Sequence, residues 1–149
     1  VKAFLLEARP GNPESCNCGQ RLKKQKDLDN HLVLVEEETL DLEGSDDKNT
    51  LALREEDSIT AEFTPRVRLD HPNFIRANLT SRIKNAPKKA LLVRVTGLLM
   101  FDSEHFVGHH LKRVNDWEIH PVLKLEFCET GHNCTATGNT GWKSLDQLP

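Results

Sequence analysis

The sequence predicts a mainly β protein that closes into a small five-stranded barrel. Three observations carry this. Five segments alternate apolar and polar residues with the two-residue period of a strand. A single helical pattern, near residues 72–85, separates the third of them from the fourth. Gly97 interrupts the most hydrophobic segment, a place where small barrels turn a corner. An open α+β sheet is the alternative that the same element order permits.

Val1 to Ala8 reads as the first strand, ended by Arg9-Pro10-Gly11-Asn12-Pro13. The loop then runs through Cys16-Asn17-Cys18-Gly19 and a basic stretch, Arg21 to Lys26. Leu32 to Glu36 is the second strand, with apolar residues on both parities, so both faces should be covered. Residues 36–57 follow as an acidic loop or hairpin, with Gly44 to Asn49 as its turn and Thr50 to Arg54 as a return. Ser58 to Leu69 is the third strand, with Ile59, Ala61, Phe63, Val67 and Leu69 inward. Glu62, Arg66 and Arg68 lie on its polar side, and Pro65 marks a bulge or an edge.

Asp70-His71-Pro72 has the chemistry of a helix start. Phe74, Ile75, Leu79 and Ile83 recur at helical spacing, and Asn85-Ala86-Pro87 stops the pattern. Ala90 to Asp102 is the fourth strand, with Leu91, Val93, Val95, Leu99 and Phe101 on one face. Residues 103–116 form a loop rich in His and basic residues, in which His109-His110 reads as exposed. Trp117 to Cys128 is the fifth strand. Trp117, Ile119, Leu123, Leu125 and Phe127 form its expected underside; Glu118, His120, Lys124 and Glu126 form its polar top. Residues 129–149 are a turn-rich tail, with Trp142 and Leu145 as the residues that dock it back. Strand, strand, strand, helix, strand, strand is the order of an OB-fold.

The 149 residues fit one domain spanning the whole chain. No apolar run reaches the roughly 18–20 residues of a membrane helix, so membrane insertion is not expected. Ten acids against Lys48 and Arg54 give residues 36–57 a charge of −8. The net charge of −3 therefore leaves +5 on the rest. A mildly basic body with one acidic loop is compatible with a nucleic acid or another polyanion as partner. The composition says nothing of oligomeric state. The chain does not open with Met, and a mature form from which a leader has been removed is one expectation.

Cys16, Cys18, Cys128 and Cys134 make an even count. Disulfides are expected if the protein is exported to a periplasmic or extracellular space. Cys16 and Cys18 are too close in sequence to pair comfortably. Each is expected to pair with one of Cys128 and Cys134. A four-cysteine zinc site and free thiols are the alternatives, although C-x-C with C-x5-C is not a common zinc spacing.

Six segments together resemble one family. They are Glu14-Ser15-Cys16-Asn17-Cys18, Asp29-Asn30-His31-Leu32-Val33-Leu34, Glu62-Phe63-Thr64-Pro65-Arg66, Val93-Arg94-Val95-Thr96-Gly97, Asp102-Ser103-Glu104-His105 and Trp117-Glu118-Ile119-His120-Pro121-Val122. The set is similar to small, exported bacterial domains of uncharacterised function. The resemblance covers residues 1–128, and its most specific part is the Trp-Glu-Ile-His-Pro-Val string. It implies export and one compact domain, and it implies no activity.

Acid–histidine pairs recur along the chain: Asp29 with His31, Asp70 with His71, Asp102 with His105, and Glu118 with His120. In a small barrel the end of strand four lies near the start of strand five, which brings several of them together. Carboxylates with imidazoles bind divalent metals and lower the pKa of a bound water. Arginines beside them can hold phosphate oxygens. The expected site is thus a metal-dependent phosphodiesterase or nuclease centre using Mg2+, Mn2+ or Zn2+. His31, Asp102, Glu118 and His120 are its expected metal ligands. His105 is the general base, acting with Glu62, Glu118 and His120. Arg66, Arg68, Arg94 and Arg113 are the phosphate-binding residues. The plainer expectation is that these groups form surface ion pairs, with Asp29 and Asp70 capping turns. No H-E-x-x-H, P-loop or G-x-S-x-G motif is present. A non-catalytic OB-type module for a peptide, glycan or nucleic acid, or a structural domain of the envelope, are the competing functions.

Overall fold

The computed structural model describes residues 1–11, 28–103 and 113–148. Among the described residues there are six strands: β1 (Lys2–Pro10), β2 (Asn30–Val35), β3 (Ile59–Phe63), β4 (Leu91–Phe101), β5 (Trp117–Cys128) and β6 (Trp142–Ser144). They lie in the order β3-β2-β1-β4-β5-β6, and an additional β3–β5 pairing closes the first five into a barrel. That closing pair is parallel; the others are antiparallel. This is a mixed five-stranded barrel of OB type with one added strand. Closure leaves the barrel wall without an exposed edge at β3 and β5.

Among the described residues three α-helices decorate it: α1 (Asp47–Glu55), α2 (Val67–Asp70) and α3 (Arg76–Asn85). α3 occupies the expected place between β3 and β4 but begins four residues after Pro72. Its first turn is met by Asn30, whose side-chain oxygen accepts from the Arg76 amide at 2.9 Å. α1 replaces the expected second half of a hairpin. Asp46 accepts from the Asn49 amide at 2.8 Å, the bond of a helix N-cap. Arg54 then ties α1 down by donating to the carbonyls of Leu40, Leu42 and Lys88 at 2.7, 3.1 and 2.9 Å.

The third strand is shorter than its apolar pattern suggests. It stops at Phe63, and Val67 to Asp70 turn into helix. Pro65 has no amide to give the ladder, and the Thr64 hydroxyl accepts from the Val67 amide at 3.3 Å, which starts the new turn. Val67 and Leu69 therefore leave the sheet, and Leu69 is exposed.

The core holds Leu5, Leu32, Leu34, Phe63, Phe74, Leu79, Val93, Val95, Val122, Leu125 and Leu145. Phe63 stacks on Phe74 at 4.6 Å, which fixes α3 against the barrel. A smaller apolar cluster of Leu6, Val33, Val35, Leu40 and Ala90 lies on the other face of β1 and β2. Its existence bears out the expectation that the second strand is covered on both sides. The tail docks as expected: β6 pairs with β5, and Leu145 is fully buried.

The alternation of β4 and β5 does not run through their whole length. Their register shifts between Thr96 and Gly97 and again between Gly97 and Leu99. Each shift adds one residue on β5, so the faces are exchanged only between them, where Val122 is buried and Leu123 exposed, and are restored where Leu99 meets Ile119. Val95, Leu125 and Phe127 point inward, but Leu99 and Phe101 on β4 and Trp117 and Leu123 on β5 are exposed. Those four do not form part of the core, contrary to the reading of an uninterrupted underside. Glu118 and His120, expected on an open polar top, are buried instead. Gly97 is where the strands come too close for a side chain. A Cβ there would lie 2.4 Å from Cγ2 of Ile119 and 2.5 Å from the Pro121 carbonyl oxygen.

Among the described residues a disulfide joins Cys128 to Cys134, six residues apart, within the start of the tail. This corrects the expectation that each of them pairs with Cys16 or Cys18. β5 ends at Cys128 and the chain turns back at once toward β6, which brings Cys134 under it. Cys16 and Cys18 lie outside the described residues. Among the described residues, no helix is long and apolar enough to cross a membrane.

Candidate metal centre

The site is built by register. β2 and β3 pair His31 directly with Glu62. β3 and β5 run parallel with Thr60 opposite Glu118, and two residues further on each strand stand Glu62 and His120. Asp29 enters just before β2, where the Gly11 amide donates to its carbonyl at 2.7 Å. Gly11 must be small here: a Cβ would lie 2.6 Å from Nε2 of His31 and 3.2 Å from Cβ of Asp29.

Asp29, Glu62 and His120 offer ligand atoms that all lie within 4.8 Å of one another, and all three residues are buried. His31 joins them, with Nε2 2.8 Å from one oxygen of Glu62. The other Glu62 oxygen is 3.7 Å from Nε2 of His120. Asp29, Glu62 and His120 thus converge at one end of the barrel, from two strands and the segment before β2, with His31 of β2 against Glu62. This mixed nitrogen and oxygen set suits a borderline divalent ion such as Zn2+ or Mn2+ better than the all-oxygen surroundings that Mg2+ favours.

Behind the cluster runs a second row. Nδ1 of His120 faces Glu118 Oε1 at 3.5 Å. The other Glu118 oxygen accepts from Arg113 Nη1 at 3.0 Å, and Arg113 Nη2 donates to Asp102 at 2.5 Å. Burial alone would lower the pKa of His120. The facing Glu118 carboxylate, then the charges of Glu62 and Asp29, more than reverse this, and the net shift is upward from 6.5. Burial likewise opposes the charge of Arg113, and its two carboxylate partners more than offset it, so its pKa is raised above the ordinary arginine value.

The structure sorts the predicted residues. His31, Glu62 and His120 come together. Glu118 and Asp102, expected as ligands, stand behind the cluster and hold Arg113. Asp29, expected to cap a turn, is one of the converging carboxylates. The signal was in the sequence, since Asp29 and His31 are two apart, but nothing there distinguished a ligand from a cap. His105 lies outside the described residues.

The arginines divide in the same way. Arg113 is engaged with two carboxylates rather than open to a phosphate. Arg68 donates to the Leu28 carbonyl at 2.5 Å, next to Asp29, so it borders the cluster. Arg66 is exposed at the start of α2 and does not share a strand face with Glu62. Arg94 is committed elsewhere. It binds Glu126 at 2.7 Å and Gly138 O at 2.6 Å, and stacks over Trp142. The register of Arg94 opposite Glu126 sets it far along β4 from Met100 and Glu118, so it is not a residue of this site. His71 is paired with Asp146 and stacked on Phe74, and belongs to the packing of α3 and the tail. No family model, curated protein or solved structure matches the chain.

Proposed function

We propose that the barrel is a metal-dependent hydrolase of phosphodiesters, with a divalent ion held by Asp29, His31, Glu62 and His120. The observation that carries this is the convergence of Asp29, Glu62 and His120 at ligand distance inside the barrel end, with His31 against Glu62. Structural ion pairs rarely gather two imidazoles and two carboxylates with a further carboxylate behind one imidazole. That outer carboxylate is a regular companion of metal-bound histidine. A divalent ion held there would supply Lewis-acid polarisation of a phosphoryl oxygen and a more acidic water. The chain's own residues bind, orient and desolvate. Arg68, at the rim beside Asp29, is the basic side chain best placed for a phosphate oxygen. A single-stranded nucleic acid is the polyanion we favour as substrate. The exposed Phe101 and Trp117, paired edge to face at 5.3 Å, give the β4–β5 wall of this end an aromatic surface.

The same aromatic pair supports a second reading, a non-catalytic binding module of OB type. In either case we infer an exported protein, a reading supported by the Cys128–Cys134 disulfide.

The test is incubation with single-stranded DNA, RNA and plasmid in Mg2+, Mn2+ or Zn2+, followed by EDTA, with bound metal measured by elemental analysis. The expected result is EDTA-sensitive cleavage that is lost in Glu62→Gln and in His120→Ala. Absence of cleavage with every ion, together with no bound metal, overturns the enzyme. Metal-independent binding of an oligonucleotide, weakened by Trp117→Ala, would establish the binding module instead.

A further inference from the structure

The row behind the cluster has a direction. Asp102, at the end of β4, holds one arm of the Arg113 guanidinium. The other arm holds Glu118 Oε2, which leaves Oε1 to face Nδ1 of His120. All four side chains are nearly closed to solvent, at 11%, 11%, 3% and 5% exposure in that order along the row. A planar guanidinium gripped at two nitrogens fixes its partner in orientation as well as in charge. A carboxylate can only accept, and carboxylate oxygens face both ring nitrogens, Glu118 Oε1 at 3.5 Å from Nδ1 and Glu62 Oε2 at 3.7 Å from Nε2; the nearer one, clamped in place by Arg113, favours the proton on Nδ1. The lone pair of the neutral ring then lies on Nε2, the nitrogen that faces Glu62.

We infer that Arg113 is a positioning residue: clamped by Asp102, it holds Glu118 against Nδ1 of His120 and so presents Nε2 to the Asp29–Glu62 cluster. The inference rests on the metal reading only for its effect on affinity; the choice of tautomer is a property of the metal-free protein. It explains why Glu118 and Asp102 stand near the cluster without joining it. It also explains why an arginine, with five donors in a fixed fork, occupies a buried place between two acids rather than lying open to a ligand.

The experiment is 15N NMR of the imidazole rings at a pH above the His120 titration, with His120→Ala assigning its signals. Zn2+ titration is run in parallel by calorimetry. The wild-type ring is expected as the tautomer protonated on Nδ1. Arg113→Met and Glu118→Leu should shift it toward the other tautomer and weaken Zn2+ binding by about 10- to 100-fold. Arg113→Lys, which keeps the charge but loses the fork, should fall between them and the wild type. Should Arg113→Met fail to fold, Asp102→Asn loosens the same clamp from its outer end. An unchanged Nδ1-protonated tautomer in Glu118→Leu and in the arginine or Asp102 variant overturns the inference. A tautomer switch in the variants, with no Zn2+, Mn2+ or Mg2+ bound by the wild type, keeps the positioning role and overturns the metal reading.

Discussion

His120 is the residue on which the chemistry of the chain converges. With its pKa raised above 6.5 by Glu118, Glu62 and Asp29, the metal-free ring keeps its proton in the folded state more tightly than in the unfolded one. The folded pKa is raised, so the sign is fixed. This contribution to stability is fully present below the unfolded value of about 6.5 and is lost as pH rises through the folded value. Urea unfolding of the metal-free protein should therefore show stability falling as pH rises from 6 upward, and the fall should flatten in His120→Gln. An identical slope in the variant would assign the effect to another group. Metal binding should run the other way. The ring must give up its Nε2 proton, so affinity rises with pH and a proton is released.

The β4–β5 ribbon carries Glu118 and His120 to the site past two register slips on either side of Gly97. Each slip adds one residue to β5, so between them Val122 turns inward and Leu123 outward, and beyond them Leu99 again stands opposite Ile119. Gly97 allows the crowded approach of Ile119 and Pro121 at that point. Adding a methyl group there forces the backbone apart, since the Pro121 oxygen cannot rotate away as a side chain does. Gly97→Ala should cost about 1–3 kcal/mol, read as a lower urea midpoint. A midpoint equal to the wild type would show that the bulge can absorb the methyl. The span of β5, Trp117 to Cys128, was readable from its composition in full, and a corner at Gly97 was too. The change of face at that corner was not. Two-residue periodicity reports which residues share a face only while the register holds, and a slip is a property of two strands together.

At the scale of the molecule, the barrel is closed by β3 against β5, and its far end is secured by the tail. β6 extends β5, Leu145 enters the core, and Asn73 donates to the Leu148 carbonyl at 3.0 Å. The Cys128–Cys134 bond anchors the start of that tail. A closed loop this short removes modest entropy from the unfolded chain, so replacing both cysteines by serine should cost about 2 kcal/mol. Thermal melts of the double variant and the wild type in the absence of reductant measure it. Coincident melts would mean that β6 and Leu145 hold the tail unaided.

The sequence by itself determined the five strands of the barrel, the helix between the third and fourth, and the residue types that could bind a metal. Those follow from local alternation, from helix-stop chemistry and from composition, each of which is written within a few residues. Only the tertiary structure decided that Asp29 stands with Glu62 and His120, while Asp102 and Glu118 stand behind them holding Arg113. It decided equally that Arg94 belongs to the tail and that Cys128 pairs with Cys134. The physical reason is the same in each case. Which nitrogen meets which oxygen depends on strand register and on the closure of the barrel, and both are set by contacts between residues far apart in the chain.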